Sequence, residues 1–130
     1  MNVLVADKDL SNSASMVELI RKWGYHAEGS MTAIETLKKV KEKSFDLVLL
    51  DMALPGMKPK ELITQLKVLK QDIGIVTMTE TNTNGQEKEI RTMGIVYYMI
   101  KPFSDSVLKE ILDHISKKSI SGAGRAYFFP

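Results

Sequence analysis

Five short apolar runs, separated by amphipathic stretches, constrain the fold of this chain more than any other feature. The runs are nearly continuous rather than alternating, and they lie at residues 3–6, 25–27, 45–50, 73–78 and 96–100. Such runs are typical of strands that are buried on both faces of a parallel sheet. The second run is the weakest, so we expect its strand at an edge of the sheet.

The stretches between the runs carry apolar residues at helical spacing. The first predicted helix has Ser11 or Asn12 as candidate N-caps. The fourth, at about residues 85–93, offers only Ile90 and Met93 to a core, and we expect it to be the least firmly packed. Five βα units predict a doubly wound α/β domain, because right-handed crossovers place helices on both faces of the sheet.

Composition excludes several classes of protein. The 130 residues suit one domain, and 18 basic against 16 acidic residues give a net charge of only +2. This balance argues against a nucleic-acid binder that relies on phosphate contacts. The absence of cysteine excludes a disulfide framework and a thiolate metal site. No apolar run approaches the ~20 residues of a membrane span, and charge appears too early for a signal peptide, so we expect a soluble cytoplasmic protein.

Polar residues stand at the carboxyl ends of four predicted strands, where doubly wound folds place their ligand chemistry. They are Asp7, Asp51, Thr79 and Lys101. The segments FDLVLLDMALPGM and YYMIKPF, which contain Asp51 and Lys101, resemble the phosphorylation-site strand and the Lys-Pro turn of bacterial response-regulator receiver domains. The resemblance covers about residues 2–117. It implies a flavodoxin-like five-stranded parallel sheet of order 2-1-3-4-5, with the receiver at 1–117 and a tail or linker at 118–130.

The resemblance also assigns roles to these residues. Asp51 would accept a phosphoryl group, which requires an ionised carboxylate that an in-line donor can reach. Lys101 would pair with that carboxylate. The peptide bond between Lys101 and the following proline would be cis. Thr79 would be the switch hydroxyl, with Thr77 as a less well placed rival, and Tyr98 would be the aromatic switch. Taken alone, Asp51 could equally open a turn.

Position 8 is where the sequence departs furthest from the family. Receiver domains hold Mg2+ with two adjacent acidic residues after the first strand, whereas this chain has Asp7 followed by Lys8. The expected oxygen ligands are Asp7, Asp51, the main-chain carbonyl of Met52 or Ala53, and Asp9 as a substitute ligand. An ammonium group repels a divalent cation, so we expect weakened Mg2+ binding. Alternatively, Lys8 itself neutralises Asp51 and makes the site independent of metal.

Two functions remain open on the sequence. The leading one is a two-component phosphorelay receiver that takes a phosphoryl group from a histidine kinase or phosphotransfer protein and switches a surface that binds a downstream protein. Such a domain is a signalling switch, not a metabolic enzyme. The alternative is a pseudo-receiver that binds partners without phosphorylation, suggested by Lys8 and by Glu80, which could repel a donor or face solvent. A flavodoxin-like enzyme is disfavoured because no glycine-rich phosphate loop follows the first strand.

Overall fold

The fold is that of a computed structural model, which describes residues 1–81 and 84–121. Strands and helices alternate along the chain in the order β1 (Asn2–Ala6), α1 (Leu10–Lys22), β2 (His26–Ser30), α2 (Ala33–Glu42), β3 (Leu47–Asp51), α3 (Pro59–Leu69), β4 (Gly74–Thr79), α4 (Asn84–Arg91), β5 (Tyr97–Ile100) and α5 (Asp105–Ser121). The strands form one parallel sheet of order β2-β1-β3-β4-β5. The predicted fold and strand order are confirmed. Within the described residues, no helix is long and apolar enough to span a membrane.

Helices cover both faces of the sheet, because successive side chains of a strand point to opposite faces. In β1, Val3 and Val5 pack with α1 and α5, whereas Leu4 and Ala6 pack with α2, α3 and α4. β2 is an edge strand whose first residue, His26, is exposed. This position explains why its apolar run is weak.

Helix α1 begins earlier than predicted. Asp9 is its N-cap, and the Asp9 carboxylate accepts a hydrogen bond from the Asn12 main-chain N–H at 3.1 Å. Ser11 and Asn12 lie inside the helix, so their prediction as caps was wrong. The apolar pattern did not reveal the true start because Leu10, the first helical residue, is 66% exposed.

The carboxyl-terminal helix also differs from the prediction. α5 continues to Ser121, so the predicted domain boundary after residue 117 falls inside this helix. The apolar periodicity ends near Ile115, but exposed polar residues such as Lys117 and Lys118 sustain a helix without contributing to a core. The AYFFP segment of the predicted tail lies outside the described residues.

Helix α4 has the sparse anchoring that its sequence predicts. Ile90 is 2% exposed, and Met93, beyond the helix end, is half-buried. Glu89 forms an ion pair with Lys60 of α3, and the Arg91 guanidinium lies 5.8 Å from the centroid of the Tyr98 ring. Much of what holds α4 to the domain is therefore polar and near the surface.

Candidate functional site

Three strand ends bring two carboxylates and one ammonium group together. The Lys101 Nζ lies 3.2 Å from Asp7 Oδ2 and 3.4 Å from Asp51 Oδ2. β1 and β3 are neighbours in the sheet, whereas Lys101 follows β5 and reaches back across the end of β4. The peptide bond between Lys101 and Pro102 is cis, as the resemblance implied.

Further donors fix the two carboxylates in place. Asp7 Oδ1 accepts the Asp9 main-chain N–H at 2.9 Å, and Asp7 Oδ2 accepts the side-chain amide of Asn12 at 2.6 Å. Asp51 Oδ1 accepts the Ala53 main-chain N–H at 2.9 Å. Asp7 is 0% and Asp51 6% exposed, so the carboxylates depend on these donors in place of water.

The two carboxylates have different proton affinities. Burial raises the pKa of Asp7, but the Asp9 N–H, the Asn12 amide and the Lys101 ammonium outweigh it, and the pKa is lowered. Burial likewise raises the pKa of Asp51, and here it prevails over the Ala53 N–H and Lys101, with the charge of Asp7 adding to the rise. Asp7 is thus held as the anion, and Asp51 is the more basic carboxylate.

Lys101 remains charged in this setting. Burial lowers the pKa of its ammonium group, but the charges of Asp51 and Asp7 outweigh burial, and the pKa is raised. The Lys101 side chain is only 14% exposed. It is therefore the cation that neutralises the carboxylate pair.

Lys8 and Glu80 lie on the rim of the same cleft, and both are exposed. Within the described part of the chain, Lys8 forms no ion pair with Asp51, a position that Lys101 occupies instead. The ion pair of Asp51 with Lys101 does not support the interpretation in which Lys8 directly neutralises Asp51. The exposed position of Glu80 agrees with the alternative in which it faces solvent.

The two predicted switch residues are buried. Thr79 ends β4, and its hydroxyl donates to the Thr81 carbonyl at 2.7 Å and accepts the Thr81 N–H at 3.2 Å. Tyr98 is 4% exposed beneath α4, whereas Tyr97 packs on the opposite face of the sheet. Thr77 lies within β4, paired with Tyr98 and fully buried, so it is less well placed than Thr79.

The oxygen donors suit a hard divalent cation in kind, although they are fewer than the family uses. Asp7 and Asp51 supply carboxylates, and the main-chain carbonyls of Met52 and Ala53 follow directly. Asp9 is committed to the N-cap of α1. Among the residues that the structure describes, no group of three or more His, Cys, Asp or Glu side chains could hold a metal ion.

Asn12 is the site residue that the sequence did not reveal. It was predicted as a helix cap, yet its side chain binds Asp7 from the first turn of α1. The signal was its spacing of five residues from Asp7, but that spacing brings the two side chains together only if the helix begins at residue 10.

Comparison with known proteins identifies the family. Residues 3–113 match the response regulator receiver domain. The chain is 29% identical over 115 residues to the sporulation initiation phosphotransferase F of Bacillus subtilis, covering 88% of this chain and 90% of that protein. It is 32% identical over 113 residues to the transcriptional regulatory protein ZraR of Salmonella typhimurium, covering 87% of this chain but 26% of ZraR. The chain thus spans about a quarter of that regulator.

Solved structures show the same fold. A CheY-like receiver domain protein from Methanospirillum hungatei superposes with a TM-score of 0.83 at 24% identity, covering 92% of this chain and 97% of that one. The response regulator TrrA of Thermotoga maritima, solved in complex with Mg2+-BeF, has a TM-score of 0.77 at 24% identity, covering 88% and 97%. The family model matches most of the chain, and the five parallel strands have the order 2-1-3-4-5. This chain therefore belongs to the response regulator receiver domain family.

Proposed function

We propose that this receiver domain accepts a phosphoryl group on Asp51 and thereby switches a protein-binding surface. The observation that carries the proposal is the buried pair of Asp7 and Asp51, held by Lys101 at the carboxyl edge of the sheet. Asp51 ends β3 and lines the cleft, so an in-line phosphoryl donor can reach its carboxylate.

In the transfer step, an Asp51 carboxylate oxygen attacks the phosphorus of a phosphohistidine in line with the bond to nitrogen. The new O–P bond forms as the P–N bond breaks, and the electron pair stays on the imidazole nitrogen, which takes a proton from solvent. The Lys101 ammonium neutralises charge that develops on the phosphoryl oxygens. The donor is a histidine kinase or phosphotransfer protein, partners that receiver domains generally use, and we expect the encounter in the cytoplasm.

Receiver domains generally bind Mg2+, and here Asp7, Asp51 and the main-chain carbonyl of Met52 or Ala53 would hold it. When bound, the cation would supply further charge neutralisation at the phosphoryl oxygens. Lys8 stands where the family has another carboxylate, so we propose that binding is weaker than in other receivers.

The switch would start at the hydroxyl of Thr79. A phosphoryl group adds acceptor oxygens near the ends of β3 and β4, and Thr79 would exchange its bond to Thr81 for one to phosphate. Tyr98 lies in β5, the strand that pairs with β4, and Arg91 of the sparsely anchored α4 contacts its ring. The readout would be a downstream protein that binds differently to the two arrangements of this surface.

A second candidate is a pseudo-receiver that binds its partner without phosphorylation. The specific observation in its favour is that Lys8 and Glu80 both lie on the rim of the cleft. Lys8 stands in place of a carboxylate that would bind the metal. Glu80 places a negative charge where a phosphoryl donor would approach.

Intact-mass measurement after treatment with acetyl phosphate and Mg2+ distinguishes the phosphorylated receiver from the pseudo-receiver. The parent protein should gain the mass of one phosphoryl group, and Asp51→Asn should gain none. Asp105→Asn is the matched control, because Asp105 is an exposed carboxylate that lines the same cleft. Labelling of Asp51→Asn to the parent's extent would refute the assignment, and an unlabelled parent would favour the pseudo-receiver.

A further inference from the structure

We infer that Asn12 is a positioning residue that limits divalent-cation binding at this site, because its side-chain amide occupies the carboxylate of Asp7. The inference deepens the proposed function and rests on it, since it concerns the regulation of the same carboxylate pair.

The acceptor capacity of Asp7 is largely used within the protein. Oδ2 accepts the Asn12 amide at 2.6 Å and the Lys101 ammonium at 3.2 Å, and Oδ1 accepts the Asp9 N–H at 2.9 Å. A carboxylate oxygen offers two lone pairs, so both positions on Oδ2 are filled. A cation that binds this oxygen must displace the Asn12 amide or Lys101.

The cap of α1 holds Asn12 in this position. Asp9 accepts the Asn12 main-chain N–H at 3.1 Å, which fixes the residue in the first helical turn. Side chains of a helix lean towards its amino terminus, and here that direction leads back to the end of β1. Asn12 is half-buried, so its amide is partly shielded from competing water.

The net charge of the cleft does not oppose a cation. The groups that line the cleft include five carboxylates, those of Asp7, Asp9, Asp51, Glu80 and Asp105, against two ammonium groups, those of Lys8 and Lys101. The wider cleft therefore attracts a cation despite Lys8, which is exposed. The Asn12 amide instead acts locally, at Asp7 Oδ2, where it occupies one of the two acceptor positions.

Titration calorimetry with MgCl2 on the full chain, without a phosphoryl donor, tests the inference. Asn12→Ala keeps the main-chain N–H that Asp9 accepts but removes the side-chain amide, and it should bind Mg2+ at least about tenfold more tightly than the parent, which corresponds to about 1.4 kcal/mol. Ser11→Ala, an exposed change in the same turn, should match the parent. In metal-free protein, the 13C signal of the Asp7 carboxylate should shift in Asn12→Ala and not in Ser11→Ala.

Unchanged or weaker Mg2+ affinity in Asn12→Ala, or no measurable binding in either protein, would overturn the inference. If Asn12→Ala fails to fold, Asn12→Leu, which retains the side-chain volume and lacks the donor, takes its place with the same expected outcome. The comparison needs no phosphorylation, so a failure of Asp51 to accept phosphate would appear only in the mass measurement.

Discussion

Two lysines lie near the carboxylate pair, and the sequence alone allows either of them to neutralise the carboxylates. The structure gives them different roles. Lys101 is largely buried and lies within 3.4 Å of both carboxylates. Lys8 is exposed at the rim and leaves the pair to Lys101. We therefore expect Lys8 to weaken metal binding in two ways, by the loss of a carboxylate ligand and by a repulsive charge that solvent partly screens.

At the scale of single residues, Lys8→Asp should raise Mg2+ affinity about tenfold or more. The substitution changes the local charge by two units and restores an oxygen ligand, and tenfold requires only about 1.4 kcal/mol. Calorimetric titration of the parent and Lys8→Asp measures the two Mg2+ affinities. Lys22→Asp is the control, because it makes the same change of charge at the far end of α1.

Tight binding by the parent that Lys8→Asp leaves unchanged would contradict the role given to Lys8 and show that another group replaces the missing ligand. Weak binding by the parent that Lys8→Asp rescues would shift the preference towards the pseudo-receiver.

Among the elements, α4 has the least apolar anchoring. Ile90 is its buried apolar side chain, whereas α5 buries Leu108, Ile111, Leu112 and Ile115. The ion pairs of α4 to Lys60 and within the helix lie at the surface, where such pairs contribute little. This helix should open locally before the rest of the domain unfolds.

Hydrogen exchange should detect that opening. Amides of α4 should exchange at least about tenfold faster than amides in the middle of α5, which corresponds to an opening free energy lower by about 1.4 kcal/mol. Ile90→Ala should accelerate exchange in α4 further. Ile63→Ala in α3, a fully buried control, should instead lower global stability by about 2–5 kcal/mol. Equal protection of α4 and α5 would contradict this view of the element.

At the scale of the whole molecule, a polar contact ties α5 to the segment between α1 and β2. The Tyr25 hydroxyl donates to Asp113 Oδ1 at 2.5 Å, and Lys109 contacts Asp113 Oδ2 at 2.7 Å. Lys109 and Tyr25 lower the pKa of Asp113, while burial and Asp113 raise the pKa of Tyr25. The contact joins a helix that starts at the site to the opposite end of the sheet.

These shifts predict how Tyr25→Phe changes stability with pH. A lowered carboxyl pKa adds stability that is present above the ordinary value of 3.8 and is lost as pH falls through the folded-state pKa. A raised tyrosine pKa adds stability that is present below 10.0 and is lost at higher pH. The parent should exceed Tyr25→Phe by up to about 1 kcal/mol near neutral pH, a value that exposure of Asp113 to solvent keeps small.

Thermal melting of the parent and Tyr25→Phe across the pH range measures this difference. The difference should shrink as the pH falls below 3.8, the ordinary carboxyl value, towards the lowered folded-state pKa of Asp113. Asp113→Asn retains an acceptor for Tyr25 but does not titrate, so its difference from the matching double variant should not shrink in acid. A parent advantage that stays constant down to acid pH would exclude Asp113 as the cause.

The sequence by itself determined the element order and the residues at the strand ends. Burial on both faces of a parallel sheet produces continuous apolar runs, and helices on its faces produce amphipathic stretches, so both patterns are local in the chain. Asp7, Asp51, Thr79 and Lys101 follow from where those runs end. The strand order came from the family resemblance and is confirmed.

The tertiary structure alone decided how those residues interact. Asp7, Asp51 and Lys101 are far apart in the chain, and only the strand order and the reach of Lys101 across β4 bring their charged atoms within hydrogen-bond range. The place of Asn12 beside Asp7 depends on the start of α1, which is set by the polar cap Asp9 and an exposed Leu10 rather than by any apolar pattern. Side-chain direction at the end of an element is fixed by such caps and contacts, and a hydrophobic period carries no information about them.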